Sequence, residues 1–270
     1  MALRRSGRSF DELRKVKITF NSFGYAPGSV LFEMGRTKVL CAVSIQHKVP
    51  PFLRGKKRGW LTAEYAMLPT ATGLRTQRES TTMRKSGRSQ EISRLIGRSL
   101  RTIIDFDLLG EKTIILDCDV LQADAGTRTA CITGAFLALQ MAERKWLSDD
   151  LIAKNILTGS VAAISVGWSG NVPLLDLDFS EDNTVDADCN VVMTKTGKMV
   201  EFQVSAEKAA LSWEQFEQIR SLSVKGIESL FRECDRLIML YEAKIASRSD
   251  QKKHKTSQVF SLGNRQTKTL

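Results

Sequence analysis

Histidine is almost missing from this chain. There are two in 270 residues, His47 and His254, and neither stands near a polar cluster. That argues against imidazole acid–base catalysis and histidine-rich metal sites. Cysteine is sparse and badly spaced for a metal: Cys41, Cys118, Cys131, Cys189 and Cys234 form no C-x-x-C pair. An odd, scattered set of thiols reads as reduced, intracellular cysteine. No apolar run reaches the ~18 residues that a membrane span requires. The opening MALRRSGRSFDELRK is basic but has no apolar core of the secretory type, so a cytoplasmic protein without membrane attachment is expected. The pattern G-x-x-x-x-G-K-[ST] is absent too, which leaves P-loop nucleotide chemistry without support.

What is present is a hydrophobic fraction of 42%, enough for the core of one large domain or two small ones. The net charge is +10 and unevenly placed. Residues 244–270 carry seven basic side chains against Asp250 alone, which leaves about +4 for the rest. That segment is rich in Ser, Thr and Gln and reads as a solvated, disordered tail. The body therefore spans 1–243 and the tail 244–270. A basic chain suits a polyanionic partner, although many basic tails only solubilise.

The body alternates strand and helix signals. VKITF (16–20), SVLFEMG (29–35) and TKVLCAVSI (37–45) predict strands, the last two joined as a hairpin at Gly35-Arg36. Residues 86–106 predict a helix capped by Ser86, with Ile92, Leu95, Ile96, Leu100, Ile103 and Ile104 on one face. TIILDCDVLQ (113–122) is a strand, followed by a turn and an apolar helix. Strands at 160–168 and 172–179 and a hairpin over 189–204 come next. A long amphipathic helix capped by Ser212 and Gln215 closes the body. This order predicts a mixed α/β domain with much antiparallel pairing and no internal boundary.

Three features carry chemistry. The first is the turn VLQADAGTRTACITGAF (120–136). A helix N-terminus presents unpaired N–H groups and partial positive charge. There Gly126 permits close backbone approach, Thr127 adds a hydroxyl, and Arg128 offers a planar fork for phosphate oxygens. The bland alternative is a capped helix with a surface arginine. The second is a basic stretch, Arg75, Arg78, Arg84, Lys85, Arg88, Arg94, Arg98 and Arg101, with only Glu79 and Glu91 opposed. A solvated helix face accounts for the last three but less well for Arg75 and Arg78. The third is LLDLDFSEDNTVDADCN (174–190), whose Asp176, Asp178, Glu181, Asp182, Asp186 and Asp188 have no basic neighbour in sequence. Such a cluster invites a hard divalent cation with oxygen ligands, or is simply an acidic loop. Together the three suggest phosphoryl chemistry on a nucleic acid.

The segments GWLTAEYAMLP (59–69), SGRSQEISRLIGRSLR (86–101), DCDVLQADAGTRTACITGAF (117–136) and PLLDLDFSEDNTVDADCNVVMT (173–194) resemble the ribonuclease PH family. The resemblance covers about residues 6–240. It implies a ribosomal protein S5 domain 2-like α/β fold and a homohexameric ring built as a trimer of dimers. It implies a phosphorolytic 3′→5′ exoribonuclease that trims tRNA precursors and releases nucleoside diphosphates reversibly. The other implied reading is a catalytically silent, RNA-binding ring subunit of an exosome-like assembly. Phosphate binding falls to Arg88, Gly126, Thr127 and Arg128, and RNA contacts to Arg75 and Arg78. Mg²⁺ falls to Asp182 and Asp188, either of which could instead act as a general acid. The chain departs from the family at Thr70, where an arginine is usual, and at Ala125, Val204 and Lys208, where glycines are usual. Val204 raises the question of an altered backbone near the hairpin, since glycine tolerates positive φ and valine does not.

Overall fold

The computed structural model describes residues 4–81, 85–208 and 210–263. The chain divides into two units, Met1–Phe231 and Arg232–Leu270. In the first, β1 (Val16–Phe20), β2 (Gly28–Met34) and β3 (Thr37–Gln46) form an antiparallel meander. β3 alternates buried and half-buried residues, the period-2 signature of a strand with one face on a core. β4 (Trp60–Met67) is followed by α1 (Gly87–Arg101) and α2 (Phe106–Leu109), and then by β5 (Thr113–Gln122). β4 runs parallel to β5, so this first sheet has the order β1-β2-β3-β5-β4.

α3 (Thr127–Ser148) leads into a second, antiparallel sheet. Its strands are β6 (Val161–Ser169), β7 (Val172–Leu175), β8 (Ala187–Thr194) and β9 (Met199–Ala206), in the order β7-β6-β8-β9, with the short α4 (Phe179–Asp182) before β8. α3 packs on β2 and β3 of one sheet and on β6 of the other. Being covered on both sides, it is apolar nearly all round: Ala130 to Leu139 are all buried. Each fully buried Leu, Ile or Phe contributes about 1.5–3 kcal/mol relative to exposure. The core therefore holds the start of α3 in a fixed place. α5 (Trp213–Gly263) begins with Ser212 and Gln215 capping each other's backbone N–H groups. Its first turns approach β7 so closely that a Cβ at Gly226 would lie 2.4 Å from Leu175.

Three expectations change. The strand expected over 172–179 ends at Leu175, and Asp178 caps a short helix that begins at Phe179. The helix foreseen over 86–106 stops at Arg101, because Asp105 donates its N–H to Ile156 O (2.8 Å) and its carboxylate caps a new helix at Asp107 and Leu108. The composition of 244–270 predicts an irregular tail, yet α5 runs to Gly263 within the second unit. No proline or glycine stands between Ile227 and Leu262, and Lys, Arg, Gln and Ala favour helix, so nothing local ends it. Residues 264–270 of that segment, like Arg84 of the basic stretch, lie outside the described residues. Among the described residues no helix is long and apolar enough to cross a membrane.

Candidate active site

The β5–α3 turn is built to leave the helix N-terminus open. Ala125 (φ 58°) and Gly126 (φ 63°) are both left-handed, and Gly126 caps α3 without any side-chain hydrogen bond. Thr37 on β3 pins the turn: its Oγ1 donates to Ala125 O (2.6 Å) and accepts from the Asp124 N–H (3.1 Å). Arg14 supports it from below. Its Nε and Nη2 donate to the two oxygens of Asp176 (3.0 and 2.7 Å), while Nη1 donates to Asp124 O. Gly126 suits the turn by its positive φ, and a Cβ there would press on Arg14 Nη2 at 3.1 Å. The first N–H groups of α3 are thus free of capping and backed by the helix dipole.

Two arginines face this turn from different elements. Arg128, in the first turn of α3, donates Nη1–H to Gln203 Oε1 on β9 (2.8 Å) and lies 3.7 Å from Glu91 of α1. Arg88 sits in the first turn of α1, where Ser86 caps by accepting the Ser89 N–H (3.1 Å). Among the described residues the Arg88 side chain makes no hydrogen bond or ion pair, yet its charge opposes the rise that desolvation imposes on the Asp182 and Asp188 carboxyls. An arginine held toward carboxylates without a partner is available to an anionic ligand.

The acidic segment does not act as one cluster. Asp176 is buried against Arg14, Glu181 pairs with Arg4 and Arg8, and Asp178 caps α4. Asp186 accepts from the Gly170 N–H (2.9 Å) and faces Lys208 (3.6 Å). Asp182 and Asp188 are left, on α4 and β8, and both line one cleft. Asp182 is open to solvent on the cleft side and walled by protein behind. That desolvation pushes its carboxyl up, and the neighbouring Asp188 charge adds to it. Asp188 is raised mainly by desolvation as well, against the opposing pull of Arg128. Two raised carboxylates that repel each other gain from a cation between them. Among the described residues no group of three or more His, Cys, Asp or Glu could hold a metal. Two carboxylates completed by substrate oxygens and water suit Mg²⁺, which rarely takes an all-protein cage. The residues therefore fit that ion.

The cleft has a volume of about 920 Å³. It brings together Arg88, Gly126, Thr127, Arg128, Asp182 and Asp188, from four elements and one turn. Arg75 and Arg78 are not among its lining residues, though Gly73 and Thr76 of the same stretch are. Arg78 instead acts on Asp119 of β5.

Several lining residues had no motif to announce them. Gln203 orients Arg128 from 75 residues away, and Asn190 Nδ2 donates to Asp188 (3.4 Å). Among the described residues Ser165 Oγ is buried beside the turn and has no hydrogen-bond partner. Tyr65 reaches Thr127 from β4. Lys208 also lines the cleft and donates Nζ–H to Thr184 O. The question raised by Val204 is whether its position needs positive φ, and it does not. It lies in β9 paired with Cys189, and it is not among the residues with positive φ. The strain sits at Ala125 instead.

Residues 12–145 match the family model described as "3′ exoribonuclease family, domain 1", and residues 159–226 match its "domain 2". The chain is 52% identical to Ribonuclease PH of Neisseria meningitidis serogroup C over 84% of its length and 94% of that protein. It is 53% identical to Ribonuclease PH of Tropheryma whipplei strain Twist, over 84% of this chain and 92% of that one. Among solved structures it resembles the Archaeoglobus fulgidus exosome with RNA bound to the active site (TM-score 0.73, 23% identity, 86% of this chain and 92% of that one). Rice Rrp46 is similar in fold (TM-score 0.69, 17% identity, 85% and 97%).

Proposed function

The chain belongs to the ribonuclease PH family of 3′ exoribonucleases, and from that premise we propose how its own residues carry out phosphorolysis. The protein is a phosphate-dependent 3′→5′ exoribonuclease. Inorganic phosphate rests on the open N–H groups of α3, on the Thr127 hydroxyl and between the guanidinium groups of Arg88 and Arg128. One oxygen of the hydrogen phosphate bonds to the phosphorus of the last phosphodiester while the bond to the preceding 3′-oxygen breaks, and the proton that the attacking phosphate gives up ends on that 3′-oxygen. The products are a nucleoside diphosphate and an RNA shorter by one residue. A phosphate ester is exchanged for a phosphoanhydride, so the reverse addition of nucleotides from diphosphates is expected.

The arginine pair holds the attacking phosphate in line and neutralises charge that grows on the transferring group. Arg128 is oriented by Gln203 and Glu91, so its fork does not have to be ordered when phosphate arrives. Asp182 and Asp188 would hold Mg²⁺, which when bound offsets negative charge on the reacting phosphoryl oxygens. Arg75 and Arg78 lie outside the cleft lining and serve as contacts for RNA further from the 3′ end. The substrates are tRNA precursors and other RNAs with free 3′ ends, met in the cytoplasm by a homohexamer.

The observation that carries this reading is one cleft holding an uncapped helix N-terminus, two arginines and two carboxylates. A silent ring subunit has no need of all three. Arg88→Ala and Arg128→Ala should each cost at least about tenfold in turnover or in apparent phosphate affinity. RNA affinity measured without phosphate should change far less. Near-normal phosphorolysis by Arg128→Ala would remove the proposal.

A further inference from the structure

The buried hydroxyl of Tyr65 meets the Thr127 hydroxyl at 3.0 Å, across 62 residues of sequence. Tyr65 lies on β4, the strand parallel to β5, and is 2% exposed. Neither hydroxyl makes another hydrogen bond among the described residues. Each has a single proton to give. The unprotonated oxygens of phosphate only accept, so a Thr127 hydroxyl that contacts one of them spends its proton there. The shared bond then has one possible direction: Tyr65 donates and Thr127 Oγ1 accepts.

We infer that Tyr65 is a positioning residue for phosphate, fixing the Thr127 hydroxyl rotor so that its proton points into the cradle. The inference rests on the assignment of the cradle to phosphate. Burial pushes the Tyr65 phenol up to about 12, so it keeps its proton throughout the working range. The ring is locked by the core and cannot turn away, whereas an unassisted threonine hydroxyl rotates freely and must be ordered by the ligand itself.

The test is a cycle of variants of the full chain assayed by phosphorolysis. Tyr65→Phe removes one oxygen and leaves the ring. It should raise the KM for inorganic phosphate about three- to tenfold, with the KM for RNA unchanged. In a Thr127→Val background the same change should do nothing more, because the hydroxyl it orients is gone. In a Thr127→Ser background the effect should return. Binding of inorganic phosphate, read as the rise in melting temperature with phosphate concentration, should follow the same pattern and does not depend on turnover. The inference is overturned if Tyr65→Phe leaves the phosphate KM unmoved, or raises it equally with and without the threonine hydroxyl. If Thr127→Val itself leaves phosphate binding untouched, the Thr127 contact and with it the Tyr65 role are overturned, and only unaltered phosphate binding in Arg128→Ala as well removes the cradle assignment. A shift with Thr127→Val and none with Tyr65→Phe removes the Tyr65 role alone.

Discussion

Arg88 and Arg128 reach the same cleft under different constraints. Arg128 is tied to Gln203 and Glu91, while Arg88 makes no hydrogen bond or ion pair among the described residues. Gln203→Ala should therefore weaken phosphate use through Arg128 by a few fold, less than Arg128→Ala itself, as a KM titration in phosphate would reveal. The two carboxylates carry a cost of their own. Burial raises Asp182 and Asp188, so the folded state disfavours their charge. A group raised in the fold contributes stability below its unfolded pKa and loses it as pH rises through the folded value. Metal-free protein should thus be more stable as Asp182→Asn or Asp188→Asn at neutral pH, with the gain vanishing below the ordinary aspartate range. Both variants should lose Mg²⁺-dependent activity. Thermal melts at several pH values and a Mg²⁺ titration check the two halves, and variants active across that titration would rule out the metal role. The cradle proposed for phosphate could be suggested from sequence because glycine, threonine and arginine stand together in the chain. Gln203, Ser165 and Tyr65 were not, because only the sheet pairing brings them to the turn.

Elements were readable where burial imposes a period. β3, β5 and α3 stand close to where the apolar pattern puts them. The end of α1 was not readable: Ile103 and Ile104 continue a helical face, and the pairing of residues 103–105 with Ile156, Leu157 and Thr158 breaks it. The acidic segment misleads in a similar way, since its partners Arg4, Arg8 and Arg14 come from the far end of the chain. At the β5–α3 turn, Ala125 holds a left-handed conformation that costs a non-glycine residue roughly 1–2 kcal/mol. Glycine recovers this but adds about 0.5–1 kcal/mol of unfolded-state entropy. Ala125→Gly should therefore leave the fold equally or slightly more stable, by up to about 1.5 kcal/mol, with phosphorolysis retained. A marked loss of stability in chemical denaturation would mean that Ala125 is not strained as described.

The whole molecule separates its charges. The residues assigned to phosphate and metal all lie before residue 190, whereas most of the excess positive charge lies beyond residue 243. Composition revealed that asymmetry but not the extent of α5, since a run of Lys, Gln and Ser suits a helix as well as a tail. Deleting residues 247–270 should leave turnover at saturating RNA intact. It should weaken RNA binding most at low salt and flatten its salt dependence by roughly 0.7 in log–log slope for each RNA phosphate that is no longer neutralised. Superimposable salt curves with and without the segment would assign it no role in holding RNA. The central claim is that phosphate, not water, attacks the RNA end. Its most direct measurement incubates RNA bearing a free 3′ end with the protein and Mg²⁺, with and without inorganic phosphate, and identifies the released nucleotide. The account predicts shortening only when phosphate is present, with nucleoside diphosphate as the product. Equal shortening in both reactions, or release of nucleoside monophosphate, would contradict it.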